Sequence, residues 1–414
     1  MFSIDIDRYL INPGAMTPPT FPRVPAKSFS RRFWRPVLIS LSMILVITAG
    51  IFALALHAID APLVPDATSG AGEAGMRDGL AIALLHGDAT ACGIQAGKLL
   101  RDRLLATMRV ISLRRSFQLD DAQRTALTKG LSADHKAELE ALAQAGRVDR
   151  DALFDANLAL DTQCTVLLTG ADGKGPVRMA RNMDYFPAQL LGPATVVTVW
   201  RLPGKHAVAS IGWPGYAGVI SGMNDAGLVA TVLKNSRYRQ TSGTPLTFRV
   251  REILESAKDL DAALAAFRQS PVSSDHFVVL ADRTRAAVAW YDGTFHRRDP
   301  VAGVLTCSNG KPNKEGDQED DRTQALRALM AKNAAPNEIQ LKQAMTQVYL
   351  RDINAQTMFF RPDLREVDLA LSHGLQPAAK QPYHRIPLGS WLDGGKLDSV
   401  TISTVGAVEA LKHY

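Results

Sequence analysis

The sequence predicts a layered α+β domain preceded by one transmembrane helix. Three observations carry that expectation. Strand-like runs come in blocks separated by helical blocks, which argues against a one-for-one βαβ array. Residues 37–58 form an apolar stretch of 22 residues without Asp, Glu, Lys or Arg. Across 414 residues the chain is 46% hydrophobic and 21% charged, which supports a large core and excludes wholesale disorder and collagen-like repeats.

The first element is the tail. Residues 1–36 hold Arg8, Arg23, Lys27, Arg31, Arg32 and Arg35 against Asp5 and Asp7, a balance of +4 out of the chain's +6. The remaining 378 residues carry only +2, so the basic excess describes a tail and not a nucleic-acid-binding face. The stretch 37–58 is long enough to cross a hydrocarbon core of roughly 30 Å. A basic cluster, RRFWR, precedes it, and Asp60 and Asp66 follow it. By the positive-inside rule the tail stays cytoplasmic and the rest of the chain is extracytoplasmic, in a periplasm or outside the cell. A cleaved signal peptide is the competing reading, since Ala53, Leu54 and Ala55 resemble a cleavage site. The apolar run exceeds a usual signal core and has a long region before it, which favours an uncleaved signal anchor.

Residues 59–76, rich in Gly, Ala, Pro and Asp, are expected to be a linker. Residues 77–163 read as a helical fragment, through CGIQAGKLLRDRLLATMRVI and then ADHKAELEALAQAG to FDANLALD. The period then changes. CTVLLTG, VRMARNMD, ATVVTVWRL, HAVASIGW, AGVISGMN and AGLVATVL are short runs of Val, Thr, Ile and Ala divided by Gly- or Pro-containing turns, expected as successive strands of one antiparallel sheet. LTFRVREILESA and DLDAALAAFRQ return to helix. DHFVVLAD and RAAVAWYD predict a hairpin around Arg283 and Thr284, and VAGVLTC another strand. Helices over about 321–332 and 336–350 follow, with last strands in 357–371 and 398–406.

Several chemistries are missing from the sequence. There is no HExxH, no GxSxG and no phosphate-binding loop. The nine histidines lack ligand spacing, and the three cysteines, Cys92, Cys164 and Cys307, form no CxxC pair. No metal and no cofactor are expected. The segment DTQCTVLLTGADGKGPVRMARNMDYF stands out instead. If its two strands pair across the Gly170–Gly173–Gly175 turn, Arg181 and Asp184 return beside Cys164. An Arg near a thiol favours the thiolate and an Asp can orient an amine. Taken alone, a Cys opening a strand is more often a small buried hydrophobe.

The ordered motifs around that segment resemble a known family. HGDATACGIQAGKLLRD is similar to an early Gly-containing helix of the type G…G…GxLLRD. The CT step at Cys164 and Thr165, RNMDYF against RNxDW/F, and GMNDAGL against GMNExGL follow in order. SSDHFVVLAD, VLTCSN ending at Asn309, and the Asp-Arg-Thr segment with Arg322 complete the set. The set resembles the N-terminal-nucleophile hydrolases related to choloylglycine (bile-salt) hydrolase, penicillin V acylase and acyl-CoA:6-aminopenicillanate acyltransferase, with acid ceramidase-like enzymes as distant kin. The resemblance spans roughly residues 80–330 and implies a four-layer αββα sandwich.

It also implies roles. The chain would cut itself between Gln163 and Cys164, leaving an α fragment, 77–163, non-covalently bound to a catalytic β fragment, 164–414. Freed, Cys164 would be the nucleophile, with its own α-amine, titrating near pH 8, as base. Asp184 would orient that amine and Arg181 would hold the sulfur anionic. The Asn224 backbone N–H and the Asn309 side chain would bind the oxyanion, with Asn313 as a second candidate for the latter. Arg322 would pair with Asp184 or another carboxylate. Tyr185, Phe186, Trp213 and Tyr216 are candidates to line an acyl pocket, although aromatics beside strands are more often core. Cys307 is expected near Cys164, and Cys92 simply buried.

The function implied is an amide hydrolase or acyltransferase, acting on a penicillin-like, bile-salt-like or fatty-acyl amide through a thioester. The partners implied are this small-molecule N-acyl amide and, through residues 37–58, the membrane; no nucleic acid is expected, and homo-oligomerisation is left open. Two rival readings stand beside it: a non-catalytic anchored binding domain on the same fold, and a Cys–His protease with His276 as base.

Overall fold

Short runs rich in Val, Ala and Thr build two sheets, and the way they are shared out positions the site. The computed structural model describes residues 61–112, 119–159, 163–173, 175–235, 243–269, 271–310, 320–332 and 336–406. The tail and the apolar stretch 37–58 lie outside the described residues. Among the described residues no helix is long and apolar enough to cross a membrane.

The chain opens with strands β1 (Ala67–Ser69), β2 (Gly72–Arg77) and β3 (Leu80–His86), followed by helices α1 (Ala89–Leu99), α2 (Arg101–Ser112), α3 (Asp121–Lys129), α4 (Ala133–Gly146) and α5 (Arg150–Leu158). Asp88, Asp120, Ser132 and Asp149 start α1, α3, α4 and α5 by accepting a backbone N–H, as N-caps should. Next come β4 (Gln163–Thr169), β5 (Arg178–Asp184), the short α6 (Ala188–Leu191), β6 (Val196–Arg201), β7 (Val208–Gly212), β8 (Ser221–Asn224) and β9 (Val229–Leu233). Helices α7 (Leu246–Ser256) and α8 (Leu260–Gln269) precede β10 (Phe277–Ala281), β11 (Ala286–Tyr291), β12 (Phe295–Arg298) and β13 (Leu305–Ser308). Helices α9 (Asp321–Ala331) and α10 (Glu338–Met345) lead to β14 (Asn354–Arg361), β15 (Glu366–Leu371), β16 (Tyr383–Ile386) and β17 (Ser403–Val405).

Three sequence expectations need correcting. The stretch 59–76 is not all linker, because β1 and β2 form a hairpin within it. Its glycines reflect close packing: a Cβ on Gly72 would lie 2.4 Å from the Gln95 side chain. The fragment before Cys164 is therefore not purely helical, and its β3 runs parallel to β6 inside a ten-stranded sheet, β1-β2-β3-β6-β7-β8-β9-β10-β11-β12. Nor do β4 to β9 form one sheet. The pair β4–β5 joins a second, seven-stranded sheet, β13-β4-β5-β14-β15-β16-β17. Val166, Leu167 and Leu168 are all fully buried, so no polar face in the sequence could say which sheet β4 belongs to.

That double burial defines the layers. Val166 and Leu168 belong to the large core between the sheets, whose inner faces meet at β4 with β9 and at β11 with β13. Leu167 and Ala180 point the other way, onto Leu326, Met330, Leu341 and Met345 of α9 and α10. Helices α7 and α8 cover the outer face of β7 to β11. The result is a mixed α/β arrangement ordered helices, sheet, sheet, helices. At one end α1 crosses α4 closely enough that a Cβ on Gly93 would lie 2.3 Å from the Glu138 carbonyl, which accounts for the glycines of CGIQAG.

Candidate active site

Antiparallel pairing sets Gln163 opposite Asp184, Cys164 opposite Met183 and Val166 opposite Arg181. Alternation then sends Cys164 and Arg181 to the inter-sheet side, with Arg181 diagonal to the cysteine. On the other flank β13 pairs Ser308 with Thr165, which brings Asn309 level with Cys164. Cys164 is fully buried, while Gln163 just before it is exposed.

Both reactive atoms of Cys164 are held. Arg181 Nη2 donates to its Sγ at 3.0 Å. The same guanidinium, completely buried, donates to the carbonyls of Ile220 and Val232 and to Ser221 Oγ, each at 2.6 Å. A buried cation bonded to neutral acceptors keeps its field available to the neighbouring sulfur. The Cys164 backbone N–H donates to Asn309 Oδ1 at 2.7 Å. Asn309 Oδ1 also accepts from Arg322 Nη2 at 3.0 Å, and its Nδ2 donates to the Lys234 carbonyl at 2.6 Å.

Arg322 links this nitrogen to the acid. It lies in the first turn of α9, where the N-cap residue Asp320 accepts from its Nε at 2.9 Å. Its Nη1 stands 3.5 Å from Asp184 Oδ2. Asp184, fully buried at the end of β5, accepts from Asn354 Nδ2 at 3.0 Å and more loosely from the Leu350 N–H. Burial pushes its carboxyl up to about 7, with Arg322, Asn354 and Leu350 pulling against that rise.

Five of the six candidate catalytic residues therefore converge: Cys164, Arg181, Asp184, Asn309 and Arg322. Asn224 does not. It caps the turn at the far end of β8, three residues beyond Ser221, which neighbours Arg181. Its backbone N–H donates to the Leu228 carbonyl, and its Nδ2 donates to the Leu254 and Ala257 carbonyls at the end of α7. The N–H expected to bind an oxyanion is thus spent on a turn, and the motif GMNDAGL is explained by helix capping. Asn313 lies outside the described residues.

Tyr185, Trp213 and Tyr216 come together in an apolar cleft with Met108, Ile111, Ala156, Ala159 and Ile220. Tyr185 and Trp213 have ring centroids 5.2 Å apart. Phe186 is separate, 55% exposed and outside this lining. The sulfur's hydrogen-bond partners are Arg181 and the Val232 carbonyl, so His276, buried beside Asp275, is not paired with it. Cys307 pairs in register with Val166 and is buried on the Cys164 side of the sheet. Cys92 is buried in α1, and burial pushes its thiol up to about 12.

Sequence reasoning did not reach Asp320, Asn354 or Ser221. Asp320 had a readable signal, an Asp three residues before an amphipathic run. A single Asn or Ser within strand-like sequence carries none.

Residues 170–346 match the profile of a family described as acyl-coenzyme A:6-aminopenicillanic acid acyl-transferase. Among solved structures, a Caenorhabditis elegans N-acylethanolamine-hydrolyzing acid amidase ortholog is 17% identical, covering 49% of this chain and 94% of its own, with a TM-score of 0.40. A mutant of conjugated bile acid hydrolase from Clostridium perfringens is 14% identical over 58% of this chain and 96% of its own, TM-score 0.40. Penicillin V acylase from Agrobacterium tumefaciens is 16% identical over 56% and 94%, TM-score 0.35. No curated protein sequence matches.

Proposed function

We propose, from the match of residues 170–346 to the acyl-coenzyme A:6-aminopenicillanic acid acyl-transferase family profile, that this chain is a self-processing cysteine amidase or acyltransferase on the N-terminal-nucleophile hydrolase fold. The observation that carries this is the double hold on one residue. Arg181 contacts the Cys164 sulfur while Asn309, backed by Arg322, accepts from its backbone nitrogen. A cysteine that merely fills space needs neither.

The geometry supports the following sequence. In the uncut chain the Cys164 sulfur attacks the Gln163 carbonyl carbon. The C–N bond breaks, a thioester forms, and the thiol proton passes to the departing nitrogen. Water then hydrolyses the thioester, releasing a Gln163 carboxylate and the Cys164 α-amine. That amine next takes the thiol proton, and the thiolate attacks the carbonyl of an N-acyl amide. The leaving amine departs with the proton, and the new thioester passes its acyl group to water or to an amine acceptor. Arg181 favours negative charge on the sulfur, and Asp184 faces the new ammonium. Asn309 is the side-chain candidate for the oxyanion among the described residues, since its Nδ2 can exchange the Lys234 carbonyl for a developing charge.

Intact mass of the purified protein beside Cys164→Ala tests this. Wild type should yield a C-terminal fragment beginning at Cys164, of about 27 kDa for 251 of 414 residues, and the variant should stay whole. If both stay whole, no free amine exists to serve as base and a non-catalytic binding domain becomes the better reading.

A further inference from the structure

Arg103 on α2 is a buried cation, 4% exposed, whose guanidinium donates to neutral groups. Its Nε donates to the Pro62 carbonyl at 3.0 Å and its Nη1 to the Thr195 carbonyl at 2.9 Å. Its Nη2 takes no hydrogen bond among the described residues and is not sealed from solvent. No Asp or Glu among the described residues pairs with it; burial alone acts on its pKa, pushing it down to about 10, so it stays charged at neutral pH. A buried charge without a counter-charge is costly, and two carbonyls offset only part of that cost.

Arg103 lines an open cavity of about 860 Å³, a size suited to a small molecule. The cavity lies where the two sheets meet along one side. Met76 and Leu80 come from β2 and β3, and Leu371, His384 and Thr404 from β15, β16 and β17. Leu63, 78% exposed, also lines it. Asp78, in the turn between β2 and β3, pairs with His384 Nδ1 at 2.9 Å and accepts from Thr404 Oγ1 at 2.8 Å. Those two partners hold its carboxyl below the ordinary range, so a negative charge stands behind that wall.

We propose that this cavity binds a carboxylate with an apolar body, a medium-chain fatty acid in chemical class, with its head on Arg103 Nη2 and its chain along Met76, Leu80 and Leu371. An uncharged chain would leave the guanidinium unpaired, and a short acid would leave the apolar wall wet. Asp78 disfavours the second charge of a phosphate. Cys164, Arg181, Asp184, Asn309 and Arg322 are not among the lining residues, so binding requires neither cleavage nor turnover.

Calorimetric titration of the purified full-length protein tests this, with octanoate, acetate, octyl phosphate and octanol as probes. Octanol reports any partition into apolar segments that does not need the charge. Octanoate should bind about tenfold or more tighter than acetate or octanol, and Arg103→Gln should lose about the same factor. Octyl phosphate should bind no tighter than octanoate. Leu63→Asp, which places a carboxylate at an exposed position of the lining, should weaken octanoate about threefold. Should Arg103→Gln fail to fold, Leu63→Asp and the octanol comparison decide. Equal binding of octanoate and octanol, or unchanged octanoate affinity in both variants, overturns the proposal. Octyl phosphate binding tenfold tighter overturns the choice of a carboxylate. Binding that appears only in Asp60→Asn would mean that the chain's own acid answers Arg103, and overturns it as well.

Discussion

Asp184 is a carboxyl buried with one arginine 3.5 Å away and its other oxygen held by Asn354. Its folded pKa of about 7 lies above the ordinary value of 3.8, so the folded chain binds a proton that the unfolded chain gives up between those limits. Stability from this group is therefore greatest at low pH and is lost as pH rises from about 4 to about 7. In the uncut Cys164→Ala background, Asp184→Asn should flatten that slope. Urea denaturation between pH 4.5 and 7.5 measures it, and identical slopes in the two proteins would discard the assignment. A positive amine delivered beside Asp184 by cleavage should lower its pKa and shrink the same slope in processed wild type. Much of this residue's neighbourhood was legible in the sequence, because Cys164, Arg181 and Asp184 sit on one hairpin whose turn glycines are plain. Asn354 was not legible: it arrives from a strand 170 positions later, and nothing in its local sequence marks it.

Elements explain where the motif reading and the structure part. The hairpin β8–β9 was readable from GMNDAGL, with Gly227 at φ +83° in its turn. What the string of letters does not contain is the end of α7, whose Leu254 and Ala257 carbonyls take both hydrogens of the Asn224 amide. Asn224→Ala strips that cap and leaves buried carbonyls unsatisfied, at a cost of about 3 kcal/mol. We expect a lower Tm with normal self-cleavage at permissive temperature. Loss of cleavage in a protein of unchanged Tm would return Asn224 to the chemistry. Sheet membership was hidden for a related reason. A strand covered on both faces, like β4, shows no alternation, and its partners β13 and β14 lie far along the chain.

At the scale of the molecule, the segments on either side of Cys164 are bound by more than the peptide between them. Glu138 on α4 and Arg251 on α7 form a fully buried ion pair at 2.7 Å, with Glu255 on the other side of the guanidinium and Trp200 stacked beneath it. Trp200 Nε1 also donates to Glu138. Removing one partner of such a pair costs about 3–5 kcal/mol. The processed wild-type fragments should co-elute on size exclusion and separate only in denaturant. Glu138→Leu should make them separate at lower urea, and an unchanged urea midpoint would remove the pair from any part in holding them.

The parallel ladder between β3 and β6 has a consequence in time. β3 comes off the ribosome more than a hundred residues before β6, with all of β4 and β5 made in between, so the ten-stranded sheet cannot close until late in synthesis. A Cys164 that cuts only when both sheets surround it would act after that closure, once per molecule. If the proposed cut occurs, the unfolded state from then on is two chains. Refolding would then be a bimolecular encounter that dilution slows, and the mature protein would persist by the height of its unfolding barrier and not by reversible equilibrium.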